Sequence, residues 1–330
     1  NCTHFQKQQY RLLTLTKMKR SIKNIVLIAG GVGGAKLAEG LNSIKDINLA
    51  IIGNIADDDE FHGLRVSPDI DTLTYTLSGM VNRKQGWGVK NDDYKTLSML
   101  NKLGEETWMS LGDLDFGLHI YRQHRLLKDH RPTIIANEIA KKLGVTADII
   151  LPTDDKIRTE VQTKSGWISF QEYFVKKRCS PKIIKLKYTG IKSAKITKEA
   201  KKALFNAELI IIAPSNPLVS IKPILEIPGF KSIIQKNNKK VIAISPLIQG
   251  KAVKGPASKM LKQLGFKPNS FSCMQIYKDI CKSFILDRSD IGLEKQFILL
   301  NQKPIFTNTL MTSLADKRRL ANFIINQPID

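Results

Sequence analysis

Six carboxylates lie within residues 54–72 (NIADDDEFHGLRVSPDIDT), although the chain as a whole carries a formal net charge of +22. They are Asp57, Asp58, Asp59, Glu60, Asp69 and Asp71. Asp69 and Asp71 stand two residues apart behind Pro68, and in an extended segment such side chains share one face. Because one or two carboxylates together with substrate phosphates suit Mg²⁺, we predict that Asp69 and Asp71 hold this ion. Residues 58–60 are expected to form a solvated acidic loop.

A glycine-rich turn, IAGGVGGAK at residues 28–36, is the second segment whose residue types suggest chemistry. Its glycines are Gly30, Gly31, Gly33 and Gly34. The turn stands between an apolar run typical of a buried parallel strand and a helical pattern that begins at Ala35. Backbone amides at a helix start bind phosphate, and glycine allows close approach because it has no Cβ. Lys36 adds a cation. The alternative is a turn that serves only the packing of strand against helix.

The spacing of these glycines argues against an NAD-dependent oxidoreductase. The pattern is GGxGG, whereas the dinucleotide fingerprint is GxGxxG. In addition, Asn54 follows the second predicted strand (residues 49–53), where a dinucleotide-binding fold often has an Asp or Glu for the ribose hydroxyls. We therefore expect Asn54 to hydrogen-bond a ligand that is not NAD.

Two later loops also follow predicted strands, at the position where α/β sheets bind their ligands. After the apolar run 208–213, a turn suited to a base or a phosphate is formed by Ser215, Asn216, Pro217 and Ser220. After the run 240–245, Lys254 stands among further lysines in a second loop suited to an anion. For the first loop, the alternative is a proline-rich turn that only caps a helix.

A pair of aspartates, Asp113 and Asp115, opens a predicted helix after Gly112. Aspartate near a helix start stabilises the free amides there, so a capping role and a ligand contact are equally supported. His119 and Arg122 follow on the same helix. They either face an anion or belong to a solvated polar face.

The order of these elements predicts an α/β fold. Apolar strands alternate with amphipathic helices, which is typical of a Rossmann-like, mostly parallel sheet with helices on both faces. We predict one domain over residues 21–330, with a mainly helical insertion at about 73–145. Residues 1–20 are interpreted as an N-terminal extension without structural importance.

Composition restricts the possible partners. No apolar run approaches the roughly 20 residues of a membrane span, and no zinc-finger or ribonucleoprotein pattern accompanies the basic charge. We therefore expect neither a membrane nor nucleic acid as partner. The four cysteines form no CxxC pair, which favours a reducing cytoplasm. The net charge reflects either lysine-rich solvated faces or anionic substrates.

Six segments, taken together, resemble one enzyme family. They are GGVGGAKLAEGL, NIADDDEFHGLRVSPDIDT, LGDLDFGLHIYR, IIIAPSNPLVSIKPIL, SPLIQGKAVKGPASKM and NTLMTS. In this order they resemble the 2-phospho-L-lactate transferases of coenzyme F-420 biosynthesis, over residues 23–325. The combination is far more specific than any single motif. Leu114 and Asn308 depart from the family pattern, which has Arg and Asp there in some members.

The resemblance implies a reaction at phosphorus. A phospholactyl-type or phosphoenolpyruvyl-type group passes from a guanosine diphosphate donor to the terminal ribityl hydroxyl of Fo, the deazaflavin precursor, and GMP leaves. It implies that Asp69 and Asp71 hold Mg²⁺ or the ribityl chain, and that one of them or Asp57 deprotonates the hydroxyl. On this basis Asp71→Asn would stop transfer and leave the fold intact. The nucleotide would lie on the glycine turn and on residues 215–217, in an expected homodimer. The alternative is a nucleotide-sugar-binding regulator of the same fold without catalysis.

Overall fold

A computed structural model of the chain describes residues 23–236 and 240–328. The interpretation of residues 1–20 therefore falls outside the described residues. The strands are β1 (Lys23–Ala29), β2 (Ile47–Gly53), β3 (Asp59–Phe61), β4 (Leu64–Val66), β5 (Asp148–Ile150), β6 (Arg158–Thr163), β7 (Gly166–Ser169), β8 (Lys185–Thr189), β9 (Leu209–Ile212), β10 (Lys240–Ile244), β11 (Leu247–Ile248), β12 (Lys251–Ala252), β13 (Ser283–Asp287) and β14 (Lys303–Thr307).

Helices connect most of these strands. They are α1 (Gly31–Asn42), α2 (Pro68–Leu77), α3 (Lys95–Lys102), α4 (Asp113–Leu126), α5 (Pro132–Lys142), α6 (Lys198–Asn206), α7 (Lys222–Leu225), α8 (Phe230–Lys236), α9 (Ala257–Gln263), α10 (Ser270–Met274), α11 (Glu294–Ile298) and α12 (Leu314–Ile325). Two π-helical segments cover Glu172–Lys176 and Pro217–Ile221, and two 3-10 segments cover Gln275–Tyr277 and Arg288–Leu293. Helices α2 to α5 lie between β4 and β5, in the region predicted to be mainly helical.

Seven parallel strands form the central sheet in the order β14-β13-β10-β9-β1-β2-β5. Their side chains are apolar on both faces; Leu27, Ile28, Ile211 and Ile212, for example, are fully buried. Such strands are typical of a sheet covered by helices. The predicted α/β, mostly parallel architecture is therefore confirmed. Smaller sheets are the hairpins β3-β4 and β11-β12 and the antiparallel β7-β6-β8.

The strand order creates a crevice beside β1. From β1 the chain proceeds through β2 to β5 at one edge, then returns to β9 on the other side of β1 and continues outward to β14. The loops that leave β1 and β9 therefore diverge at the carboxyl ends of two adjacent strands. This is the position at which open α/β sheets bind ligands.

The first helix begins earlier than the sequence pattern indicated. Helix α1 starts at Gly31 with Gly30 as its N-cap, so Gly31, Gly33 and Gly34 belong to its first turns and do not precede it. It packs against α2 and α12, and Leu37 and Leu41 on it are fully buried. Among the described residues, no helix is both long enough and apolar enough to cross a membrane.

Candidate active site

A cavity of about 620 Å³ opens at the carboxyl ends of β1, β2, β9 and β10. Of the residues predicted from the sequence, those that line it are Gly30, Gly31, Gly33, Lys36, Asp57, Asp69, Asp71, Asp115, Ser215, Asn216, Ser220 and Lys254. Four predicted residues do not line it, namely Gly34, Asn54, Asp113 and Pro217. Other parts of the wall are apolar, including Met109, Leu111, Phe170 and Phe174. The cavity therefore combines a polar, phosphate-sized region with an apolar one.

Hydrogen bonds join the two loops that diverge at the crevice. Ser215 Oγ accepts from Gly30 N at 3.2 Å and donates to Gly30 O at 2.6 Å. The Asn216 side chain caps the turn after β9 by accepting from Leu218 N at 3.0 Å. The alternative capping role is thus present in this turn, and Ser215 and Asn216 also border the cavity, where the expected ligand contact stays a prediction.

Gly33 permits the close approach of α1 to the loop after β9. A Cβ on Gly33 would lie 2.1 Å from the carbonyl oxygen of Pro214. Because this oxygen belongs to the backbone, the main chain would have to move to relieve the contact. We expect Gly33→Ala to lower the free energy of unfolding by about 1–3 kcal/mol, measured by urea denaturation. Gly117→Ala is the matched control, since a Cβ there meets nothing within 4 Å and alanine favours the helix by about 1 kcal/mol. Equal midpoints for the two variants would contradict this packing role.

Asp69 and Asp57 form the acidic centre of the cavity. Asp69 Oδ1 accepts from Gly31 N at 2.7 Å, and Asp69 Oδ2 accepts from Asn54 Nδ2 at 2.9 Å. Asp57 Oδ1 is buried without a partner. Burial raises the pKa of Asp69 to about 6, and burial together with the charge of Asp69 raises the pKa of Asp57 well above its usual value. Two carboxylates held this close and this dry attract a cation or share a proton.

Asn54 supports this centre from behind. Its amide donates to Asp69 and, at 3.2 Å, to the carbonyl of Val219, and its oxygen accepts from Ala56 N at 3.1 Å. The side chain is fully buried. Asn54 therefore orients Asp69 and does not line the cavity, and the ligand contact expected for it stays a prediction.

The extended geometry expected for Asp69 and Asp71 is also wrong. Pro68 begins helix α2, and both aspartates lie in its first turn, where residues two apart point in different directions. Asp71 is occupied by Arg122, which donates to both of its oxygens. The two carboxylates therefore do not form one cation site, and Asp57 is the partner of Asp69 across the cavity wall.

The acidic run before them is not a uniformly solvated loop. Asp58 is half-buried and accepts from Arg65 at 2.9 Å and from Ser67 Oγ at 2.7 Å. Asp59 and Glu60 belong to β3, where Glu60 pairs with Lys156 at 2.8 Å. Asp58 is thus a structural ion-pair partner, whereas Glu60 remains exposed.

The Asp113 and Asp115 pair divides between two roles. Asp113 accepts from Thr96 N at 2.9 Å and Lys95 N at 3.3 Å, so it caps α3 and does not reach the cavity. Asp115 accepts from Tyr75 OH at 2.8 Å and from Gly112 N at 3.1 Å and borders the cavity. The proposed ligand contact of Asp113 is therefore replaced by capping.

Asp115 gives the fold an unusual dependence on pH. Burial raises the pKa of Asp115 to about 6, above the value near 3.8 that it takes when exposed. Between these values the folded state binds the proton more tightly, so this group loses stabilising free energy as pH rises. We expect the difference in unfolding free energy, wild type minus Asp115→Asn, to fall by roughly 2–3 kcal/mol from pH 4 to pH 7.

Urea denaturation at four pH values between 4 and 7 measures this dependence. Asp113→Asn is the matched control with the opposite sign, because hydrogen bonds from the backbone of Thr96 lower the pKa of Asp113. The corresponding difference for Asp113→Asn should therefore rise with pH. A difference for Asp115→Asn that is constant or rising would contradict the assignment.

Two lysines supply the opposite charge at the cavity wall. Lys36 and Lys254 both border it, and Lys36 Nζ donates to Met311 O at 3.0 Å. Burial lowers the pKa of Lys36, with further lowering by the charges of Lys317 and Lys254. A concentration of cations that lowers the pKa of one member favours an anionic ligand.

Comparison with known proteins identifies the family. The family model described as 2-phospho-L-lactate transferase CofD matches residues 25–313. A 2-phospho-L-lactate transferase of Methanococcoides burtonii is 35% identical over 303 residues, which cover 92% of this chain and 98% of the relative. The enzyme of the same name from Methanocaldococcus jannaschii is 33% identical over 306 residues, covering 91% and 97%. The chain belongs to the 2-phospho-L-lactate transferase family.

Solved structures support the fold of this family member. A crystal structure from Bacillus halodurans superposes with a TM-score of 0.64 and covers 92% of this chain and 99% of the other. At 16% identity, this likeness bears on the fold alone. The family model and the relatives named above confirm three expectations from the sequence: the resemblance, the transferase class and the place in coenzyme F-420 biosynthesis. The regulator alternative is not favoured.

Several lining residues of this 2-phospho-L-lactate transferase family member were not assigned from the sequence. They include Thr72, Tyr75 and Trp87. Thr72 and Tyr75 share a helix with Asp69. A correct prediction of α2 as a helix, from Pro68 at its first position, would have indicated the first two. His119, which the sequence placed either facing an anion or on a solvated face, lines the cavity, and the solvated-face alternative is wrong for His119 and Arg122 because both are buried. Leu114 and Asn308, which depart from the family pattern, do not line the cavity.

Proposed function

We propose that the protein transfers a phospholactyl-type or phosphoenolpyruvyl-type group from a guanosine diphosphate donor to the terminal ribityl hydroxyl of Fo, with release of GMP. One observation carries the proposal. A single cavity holds amides and lysines suited to a diphosphate beside a pair of buried carboxylates suited to a cation and a hydroxyl. Membership of the 2-phospho-L-lactate transferase family supports this choice of substrates.

The nucleotide would occupy the crevice between the loops after β1 and β9. Amides at the start of α1 attract negative charge, and the helix dipole adds to this attraction. Lys36 and Lys254 would neutralise phosphate oxygens, while Ser215, Asn216 and Ser220 offer hydrogen bonds to the nucleotide. This arrangement keeps the phosphorus that carries the acid close to Asp57 and Asp69.

Asp57 and Asp69 fit Mg²⁺ better than Asp69 and Asp71, the pair expected from the sequence. The described residues contain no group of three or more His, Cys, Asp or Glu side chains that could hold a metal by itself. Mg²⁺, however, commonly takes one or two carboxylates plus phosphate oxygens and water. Asp57, with its unpartnered Oδ1, and Asp69 would supply them. When bound, the ion would neutralise the diphosphate and act as a Lewis acid.

The chemical step is substitution at phosphorus. The ribityl oxygen forms a bond to the phosphorus that carries the acid, the bond from that phosphorus to the bridging oxygen breaks, and GMP leaves with the bonding electrons. The proton of the hydroxyl passes to the Asp57 and Asp69 pair, which would act as the general base. Positioning and charge neutralisation carry most of such a reaction.

The decisive experiment incubates the protein with Fo, Mg²⁺ and either the lactyl or the enolpyruvyl guanosine diphosphate. We expect GMP and the phospho-acid adduct of Fo to appear together, measured by chromatography and mass spectrometry. Reactions without Fo, and with GDP as donor, are the controls and should release no GMP. Absence of GMP with both donors would overturn the proposal and return the regulator alternative. The homodimer and the cytoplasmic location stay predictions.

A further inference from the structure

His119 is a buried side chain at the cavity wall that the proposed chemistry does not use. It is 1% exposed and borders the cavity from helix α4. Its Nε2 is buried without a hydrogen-bond partner. An unpartnered polar atom in such a place costs about 1–3 kcal/mol, so its retention calls for a partner that arrives with a ligand.

The neighbours of His119 determine which nitrogen carries the proton. Arg122 Nη1 lies 3.1 Å from His119 Nδ1, and a guanidinium only donates hydrogen bonds. Nδ1 is therefore the acceptor, and the proton of the neutral ring resides on Nε2. Burial and the charge of Arg122 lower the pKa of His119 to about 4, against the opposing effect of Asp71. The ring is consequently neutral at pH 7 and presents one N–H donor.

The charges around this donor select an uncharged acceptor. The cation facing His119 is Arg122, which Asp71 already neutralises, and Asp71 Oδ2 itself lies 3.8 Å from Nδ1. Asp115, one turn earlier on α4, also borders the cavity. A phosphate at this wall would meet two carboxylates and no free cation among these neighbours, whereas a carbonyl or hydroxyl oxygen would not be repelled.

We propose that the Nε2–H of His119 donates a hydrogen bond to an uncharged oxygen, a carbonyl or a hydroxyl, of the deazaflavin acceptor and so positions that substrate. This inference rests on the proposed function, since it presumes that Fo occupies the α2 and α4 side of the cavity. The nucleotide donor, with its phosphates beside Lys36 and Lys254, would not contact His119. His119 is thus a positioning residue for one of the two substrates.

The test compares three variants in Fo binding, followed by deazaflavin fluorescence, and in steady-state kinetics. We expect His119→Phe to weaken Fo binding and raise the KM for Fo about tenfold, while the KM for the guanosine donor stays within about twofold. His119→Gln, whose amide can accept from Arg122 and donate into the cavity, should recover most of the affinity. His124→Phe, at an exposed position of the same helix, should behave as wild type.

A spectroscopic measurement on the wild type covers the case in which His119→Phe fails to fold. Nitrogen NMR, with the His119 ring assigned by comparison with His119→Gln, should show this ring neutral and protonated on Nε2 at pH 7, with an Nε2 resonance that shifts when Fo is added. Unchanged Fo affinity in a folded His119→Phe, an equal rise of both KM values, or no shift on adding Fo would overturn this inference alone. A wild type that neither binds Fo nor releases GMP would overturn the proposed function as well.

Discussion

Asp69→Asn is expected to lower the rate of transfer at least about 100-fold. The substitution removes one of the two charges proposed to hold Mg²⁺ and to accept the hydroxyl proton, at a position where the carboxylate borders the cavity and is anchored by Gly31 and Asn54. Asp57→Asn should have an effect of similar size, because the pair acts as a unit. GMP release over a range of Mg²⁺ concentrations measures both.

Asp59→Asn is the matched control for these variants. Asp59 stands in the same acidic run but pairs with Arg158 and does not line the cavity, so transfer should be unchanged. Thermal melting checks that each variant is folded. Transfer by Asp69→Asn at the wild-type rate, or equal losses in Asp69→Asn and Asp59→Asn, would remove the carboxylate pair from the mechanism.

The second large effect concerns stability. We expect Asp71→Asn to lower the free energy of unfolding by about 3–5 kcal/mol, in contrast to the intact fold that the sequence suggested. Arg122 is 6% exposed and donates to both oxygens of Asp71. Removing the carboxylate would leave this guanidinium buried with an uncompensated charge. Urea denaturation at pH 7 measures the loss.

Two further variants separate the buried charge from a general effect of substitution. Arg125 is on α4, like Arg122, and pairs with Glu138 of α5, with both side chains 25% exposed. Arg125→Gln breaks this pair and should cost less than about 1 kcal/mol of unfolding free energy. The double variant Asp71→Asn with Arg122→Met should recover much of the loss, because neither charge is then buried. Wild-type stability of Asp71→Asn would show that Arg122 finds another partner.

The losses of activity expected for Asp71→Asn and for Asp69→Asn therefore have different physical causes. Asp71 fixes Arg122, and Arg122 in turn contacts His119, so a change at Asp71 disturbs the wall of the cavity. Asp69 instead belongs to the centre of the proposed chemistry. Comparing unfolding free energies with transfer rates in the two variants distinguishes these roles.

Local sequence was sufficient for the frame of the molecule. The apolar runs that became β1, β2, β9 and β10 are strands buried on both faces, and their composition alone indicates this. The glycine turn after β1 and the Ser-Asn-Pro turn after β9 could be placed at one edge because parallel strands end together. The family was also recognisable, since ordered motifs over nearly the whole chain are far more specific than any single element.

The pairing of side chains was not available from local sequence. Asp69 was grouped with its neighbour Asp71, but the start of α2 at Pro68 turns the two carboxylates in different directions. Proline at a first helical position was a usable signal. The packing of α4 brings Arg122 to Asp71, and the loop after β2 brings Asp57 near enough to Asp69 for their charges to interact.

The acidic stretch thus owes its location to the sequence and its function to the tertiary structure. Residues 54–72 follow a central strand, and this alone placed them at the ligand-binding edge of the sheet. Which carboxylates are free depends on burial and on the charges that distant helices contribute, because desolvation and ion pairing act through space and not along the chain. Only the folded arrangement separates Asp57 and Asp69, to which we assign the metal and the proton, from Asp58 and Asp71, which pair with arginines.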